Sequence, residues 1–79
     1  MQDLIKLTEL IAQALVDNPD GVTVNVVEGE QTSVIELRVA KGDMGKIIGK
    51  HGRTAQSIRT ILSATSAKLN KRSVLALIE

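Results

Sequence analysis

Residues 45–62 contain the glycines and cations that could hold an anion. The stretch reads Gly-Lys-Ile-Ile-Gly-Lys-His-Gly-Arg-Thr-Ala-Gln-Ser-Ile-Arg-Thr-Ile-Leu, so Gly49 and Gly52 enclose the polar pair Lys50 and His51. Because glycine has no side chain, such a turn leaves backbone N–H groups open to close approach by an anion. The apolar residues that follow have helical spacing, and a helix N-terminus adds a positive dipole end there. The pattern indicates a site for a sugar-phosphate backbone.

The charged residues are divided unevenly along the chain. The net charge is only +1, but residues 1–40 hold two cations against seven carboxylates, a net −5. Residues 41–72 hold eight cations against one carboxylate, a net +7. The glycine turn lies in this basic half, with Lys46 and Arg53 at its flanks. Charge segregation of this kind indicates a polyanionic partner on one face.

Length and composition exclude several classes of site. The 79 residues include no cysteine and one histidine, so neither a disulfide nor a zinc site is expected. We expect no cofactor, no metal ion and no membrane span, because no run approaches the roughly 20 apolar residues that a span needs. The lack of cysteine and of a secretory pattern favours the cytoplasm. We expect residues 1–79 to form one domain.

Hydrophobic periodicity predicts the element order α-β-β-α-α-β. The predicted helices cover residues 2–17, 44–48 and 53–69, and the predicted strands cover 22–27, 33–39 and 73–78. Asp43 is expected to cap the second helix. The first two strands should form an antiparallel hairpin, and the last should run parallel to the second, since helices connect them. The expected fold class is α+β, with three helices on one face of a three-stranded mixed sheet.

The order of residues around the glycine turn resembles that of the KH domain, an RNA- and single-stranded-DNA-binding module. Ile48 precedes Gly49-x-x-Gly52, and the following helix carries Ala55, Ile58 and Ile61 in register. Further segments resemble the KhpA family of small bacterial single-KH proteins: residues 14–19, 27–30, 43–46 and the terminal strand. The resemblance implies the type II KH topology, whose element order is the one predicted above.

The resemblance also implies the site and its ligand. In KH domains the glycine turn grips the backbone of about four nucleotides while the bases lie in a groove beside it. The implied RNA-binding residues surround the turn: Lys46, Ile47, Ile48, Gly49, Lys50, His51, Gly52, Arg53, Ile58 and Arg59. Inward-facing residues near Leu37 and Val39 would complete the groove floor, and Gly45 is assigned to helix packing. The chain has no Phe, Tyr or Trp, which excludes the aromatic stacking platforms of RRM and OB-fold proteins.

Two other functions compete with RNA binding as interpretations of the sequence. An enzyme with a P-loop is excluded, because three residues instead of four separate Gly45 from Gly49 and His51 stands where Ser or Thr would hold magnesium. The alternative is a protein-interaction and dimerisation module whose RNA affinity is secondary, since helix 2–17 and the last strand carry excess apolar surface. The resemblance implies a homodimer, or a heterodimer with a larger KH-containing partner of the KhpB type, acting as an RNA chaperone or regulator.

Overall fold

The computed structural model describes residues 2–78, and the elements of this part of the chain follow the predicted order. Its helices are α1 (Gln2–Leu15), α2 (Met44–Ile48) and α3 (Arg53–Lys68), and its strands are β1 (Thr23–Glu28), β2 (Ser33–Arg38) and β3 (Ser73–Ile78). Strand β2 lies in the centre of the sheet, antiparallel to β1 and parallel to β3. The predicted α+β class and mixed sheet are confirmed, and the architecture is that of a type II KH fold.

The inner face of the sheet is formed by alternate residues of each strand. On β2 and just beyond it, Ile35 is 0% exposed, Leu37 1% and Val39 6%, as the period of two predicts. The strand register places Ile35 between Val26 and Leu75. The apolar side chains of the three strands therefore form rows across the sheet, and these rows are the floor of the core.

Helices α1 and α3 cover this floor with residues spaced three and four apart. Their buried side chains are Leu4, Thr8 and Ala12 on α1 and Ala55, Ile58, Leu62 and Ser66 on α3. This spacing is the core-facing stripe of an amphipathic helix. Among residues 2–78, no helix is both long and apolar enough to cross a membrane.

The end of α3 fixes the start of β3. Asn70 adopts a positive φ of 58°, its N–H donates to the Ala67 carbonyl at 3.0 Å, and the Lys71 N–H donates to the Ser66 carbonyl at 2.8 Å. This is the pattern of a helix terminated by a left-handed residue. The Ser66 hydroxyl also bonds the Ser73 hydroxyl, which ties the helix to the first residue of the strand. The break predicted at residues 70–72 is confirmed.

Helix α1 ends at Leu15, two residues before the predicted limit. The cause lies far along the chain: the N–H groups of Asn18 and Asp17 donate to the Asp43 carboxylate, at 3.1 Å and 3.5 Å, instead of to helical carbonyls. Pro19 also disfavours helical geometry at the residue before it. A tertiary contact and a proline together therefore set the end of this helix.

Candidate nucleic-acid interface

The turn between α2 and α3 is bent by three residues with positive φ. The angles φ and ψ are 76° and 175° at Gly49, 59° and 23° at His51, and 73° and 11° at Gly52. Glycine adopts such angles at little cost, whereas a histidine in this region carries some strain. The side chains of Lys50 and His51 are exposed. The turn thus presents two polar side chains to solvent, and its backbone angles are ones that only a few residue types adopt.

Some of the amides of this turn are already used within the protein. The Gly49 N–H donates to the Gly45 carbonyl at 2.9 Å, and the Gly52 N–H donates to the Gly49 carbonyl at 3.1 Å. The residues between the glycines, Lys50 and His51, are exposed and lie immediately before the N-terminus of α3, where a helix leaves its first N–H groups without intrahelical acceptors.

The two glycines are required for different reasons. A Cβ atom at Gly49 would lie 2.5 Å from the Thr54 Cβ and 3.0 Å from the Thr54 nitrogen, both in the first turn of α3. A Cβ atom at Gly52 would have nothing within 4 Å. Gly49 therefore permits both the backbone angle and the close approach of α3, while Gly52 permits the angle alone.

Lys46 is engaged by carboxylates instead of standing free beside the turn. Its ammonium nitrogen lies 3.1 Å from the Asp17 Oδ2 and 3.8 Å from the Asp43 Oδ1. The hydrogen bond and the charge of Asp17, with a smaller contribution from Asp43, raise the pKa of Lys46 above its ordinary value of 10.5. A phosphate would have to compete with these carboxylates for Lys46, whereas Lys50 and Arg53 form no ion pair within residues 2–78.

The apolar residues predicted to floor a groove divide into buried and accessible ones. Ile47 is 0% exposed and Ile58 3% exposed, and Leu37 and Val39 also lie in the core. Ile48, in contrast, is 40% exposed. Contact with a base requires accessible surface, so Ile48 can touch a ligand and the four buried residues can only support the groove from beneath.

A cleft between α3 and β3 extends the surface away from the turn. It has a volume of about 220 Å³ and is lined by Arg59, Leu62, Ser63, Ser73, Val74 and Leu75. Arg59 lies six residues after Arg53, or about 9 Å along the helix axis at 1.5 Å per residue. The β3 wall of this cleft was not among the predicted site residues. The sequence predicts that the last strand runs parallel to the second one after a helical crossover. This prediction could have placed β3 beside α3, the helix that follows the glycine turn.

A larger hollow lies at the start of α2. Its volume is about 370 Å³, and it is lined by Val39, Ala40, Lys41, Gly42, Met44 and Gly45. Gly45 is exposed there, and a Cβ atom at this position would have nothing within 4 Å beyond its own helix. The predicted role of Gly45 in helix packing is therefore wrong.

Comparison with known proteins agrees with this geometry. The family model described as "KhpA/KhpB, KH domain" matches residues 5–77. The chain belongs to the KhpA/KhpB KH-domain family. The matched residues include the whole glycine turn and both walls of the cleft between α3 and β3.

Curated relatives in this family match the chain over nearly its full length. One from Caldanaerobacter subterraneus subsp. tengcongensis is 53% identical over 73 residues, which cover 92% of this chain and 97% of the relative. One from Aquifex aeolicus is 52% identical over 79 residues and covers 100% of both chains. One from Borreliella burgdorferi is 49% identical over 75 residues, which cover 95% of this chain and 92% of the relative. Each of these relatives is named RNA-binding protein KhpA.

Proposed function

We propose that this chain binds single-stranded RNA and holds the sugar-phosphate backbone at the glycine turn, Gly49–Gly52. The observation that carries the proposal is the exposed pair Lys50 and His51 between two glycines with positive φ, directly before the N-terminus of α3. In this proposal the amides of Lys50 and His51 donate to phosphate oxygens. The names of the relatives favour RNA over other polyanions. In this proposal the bases lie toward Ile48 and the cleft that contains Arg59.

The chemistry of the turn suits phosphate groups. Open backbone amides donate to phosphate oxygens, and charge-assisted hydrogen bonds of this kind are about twice as strong as neutral ones. The 16 residues of α3 add a positive dipole end at Arg53, and the Lys50 ammonium and Arg53 guanidinium add full charges. Since the chain has no aromatic residue, the bases would be held by apolar contact and hydrogen bonds.

We also propose that the chain acts in pairs, as a homodimer or with a larger KH-containing partner, in RNA chaperoning or regulation. A single KH module contacts few nucleotides, and a second module raises affinity through effective concentration. The proposal is supported by large apolar side chains that remain accessible on α1: Leu10 is 55% exposed and Leu15 38%. These side chains also favour the alternative, an interaction module with secondary RNA affinity.

The proposed backbone clamp predicts a strong dependence of RNA affinity on salt. If about four phosphates are neutralised, the logarithm of the association constant should fall with the logarithm of salt concentration with a slope of roughly −3. Fluorescence anisotropy with a labelled single-stranded RNA of randomised sequence, repeated at several potassium chloride concentrations, measures this slope. A slope near zero would contradict contact with the backbone.

The proposed homodimer predicts a mass of about 17 kDa in solution, twice the 8.5 kDa of one chain. Sedimentation equilibrium in the absence of RNA measures this mass. We expect the replacement of Leu10 by Glu to shift the equilibrium toward the single chain, because a charge on an apolar contact surface opposes its burial. A single-chain mass for the unmodified protein at every concentration would contradict the homodimer.

A further inference from the structure

We propose that Asp43 is a positioning residue for the glycine turn and acts by tethering the start of α2 to the connection between α1 and β1. The inference rests on the proposed binding of RNA at Gly49–Gly52. Asp43 is 5% exposed, and within residues 2–78 it joins three segments: that connection, Ala40 in the segment that follows β2, and the first turn of α2.

The carboxylate of Asp43 is the centre of the tether. It accepts the Asn18 N–H at 3.1 Å and the Asp17 N–H at 3.5 Å, and the Lys46 ammonium lies 3.8 Å away. The backbone N–H of Asp43 donates to the Ala40 carbonyl at 3.0 Å. A buried carboxylate is costly unless such donors surround it, so this arrangement holds the carboxylate in one place.

This arrangement corrects the role that the sequence suggested for Asp43. The residue stands at the N-cap position of α2, but its side chain makes no capping hydrogen bond. Its φ and ψ of −95° and −11° are already those of a helix, unlike the extended geometry of a capping aspartate. The oxygens that would cap α2 are turned instead toward the amides that end α1.

Helix α2 needs external anchors because it contains only five residues. A helix of this length is not stable alone, so contacts with the rest of the protein set its position. Ile47 supplies the apolar anchor in the core, and Asp43, four residues earlier on the same face, supplies the polar one. The Gly49 N–H donates to the Gly45 carbonyl at 2.9 Å. The orientation of α2 therefore determines the position at which the glycine turn begins.

The direction in which RNA affinity changes when the Asp43 carboxylate is removed distinguishes a positioning role from a purely electrostatic one. Asp43 is the one carboxylate in the basic stretch 41–72. Removal of a negative charge from a protein that binds a polyanion should strengthen binding if charge alone matters. Loss of the tether should weaken binding, because the turn would no longer hold its amides and cations in register with successive phosphates.

The test compares four variants for RNA affinity and salt slope: Asp43→Ala, Asp43→Glu, Asp43→Asn and Asp20→Ala. We expect Asp43→Ala to weaken binding of a labelled single-stranded RNA about five- to ten-fold and to reduce the slope from roughly −3 to roughly −2. Asp43→Glu keeps the charge but displaces the tether by a methylene, so it should weaken binding about three-fold. Asp43→Asn retains an oxygen acceptor for the Asn18 N–H and should stay within about two-fold of the unmodified protein.

Asp20→Ala is the matched control, since it removes an exposed carboxylate from the connection between α1 and β1 and should leave affinity equal or slightly higher. Thermal unfolding followed by circular dichroism identifies a temperature at which each variant is folded, and RNA binding is measured at that temperature. If Asp43→Ala does not fold, Asp43→Glu decides the question. Equal or tighter binding by folded Asp43→Ala and Asp43→Glu, with an unchanged slope, would overturn the positioning role. RNA affinity that survives Lys50→Asp with His51→Asp would instead overturn the proposed function.

Discussion

Replacing Lys50 and His51 together by aspartate is expected to weaken binding of single-stranded RNA by roughly a hundred-fold. The change removes the cation between the glycines and puts two carboxylates on the turn, where they repel phosphates. The fold should survive, because both side chains are exposed and form no hydrogen bond or ion pair within residues 2–78. Aspartate also tolerates the positive φ of 59° at position 51 better than most residues. Filter binding measures the affinity, and circular dichroism and sedimentation check the fold and oligomeric state.

A matched control for this variant is Thr23→Glu with Asn25→Glu and Gln31→Glu. These three residues are exposed on β1 and on the connection that follows it, and their replacement alters the net charge by the same amount. If RNA affinity follows net charge alone, the control should lose as much affinity as the loop variant. We expect a loss of only a few-fold for the control, on the order of the long-range effect of surface charge. Unchanged RNA affinity in the loop variant would refute the assignment of the turn.

Gly49→Ala is expected to lower both stability and RNA affinity, and to do so more than Gly52→Ala. Gly52 has left-handed helical angles, which cost alanine about 1–2 kcal/mol. Gly49 has a φ of 76° and a ψ of 175°, a region that is essentially restricted to glycine and costs other residues about 1–3 kcal/mol. At position 49 the new Cβ would also lie 2.5 Å from the Thr54 Cβ, so α3 must shift away from the turn. We expect an additional loss of about 1–3 kcal/mol in the free energy of unfolding, from overpacking. Urea unfolding of the two single variants measures the difference.

The overlap between a Cβ atom at position 49 and Thr54 also predicts that truncation of Thr54 will not restore the full stability of Gly49→Ala. Thr54→Ala removes the hydroxyl and methyl groups of that side chain but retains the Cβ and the backbone nitrogen that approach Gly49. The Gly49→Ala, Thr54→Ala double variant should therefore recover only part of the lost stability. Gly49→Ala with the same stability as Gly52→Ala would show that α3 yields without cost, contrary to this account.

The sheet is well predicted from the sequence, because the patterns that determine its strands and their pairing lie in neighbouring residues. Alternation on β2 placed Ile35 and Leu37 in the core, and the helical crossover required the last strand to run parallel to β2. The break at Asn70 was also predictable, since a polar run that follows a helical pattern is a local signal. Each of these inferences needs only the residues of the element concerned and its neighbours.

The details of the site depended on contacts that no local pattern contains. Ile47 and Ile48 are adjacent and identical, yet the position of the core buries the first and leaves the second 40% exposed. Asp43 has the sequence context of a helix cap, but a connection 25 residues earlier in the chain supplies its partners. Lys46 was placed with the binding cations, whereas Asp17 from that same connection engages its ammonium.

The glycine turn could be expected from the sequence, but the use of its amides could not. Two glycines indicate that a turn can expose N–H groups, but the backbone angles decide which groups have an acceptor within the protein. With a φ of 76° at Gly49 and 73° at Gly52, both glycine amides bond neighbouring carbonyls. The proposed phosphate contacts therefore fall to the amides of Lys50 and His51, and these are the atoms that an experiment must observe.

The most direct test of the central claim is a titration of isotope-labelled protein with single-stranded RNA, followed through the backbone amide resonances. We expect the amide resonances of Lys50 and His51 to move most and to move downfield, as new charge-assisted hydrogen bonds to phosphate would cause. The amides of Gly49 and Gly52, which already have acceptors, should move less. Binding with the Lys50 and His51 resonances unmoved, and with the shifts collected on α1 or β1, would contradict the account.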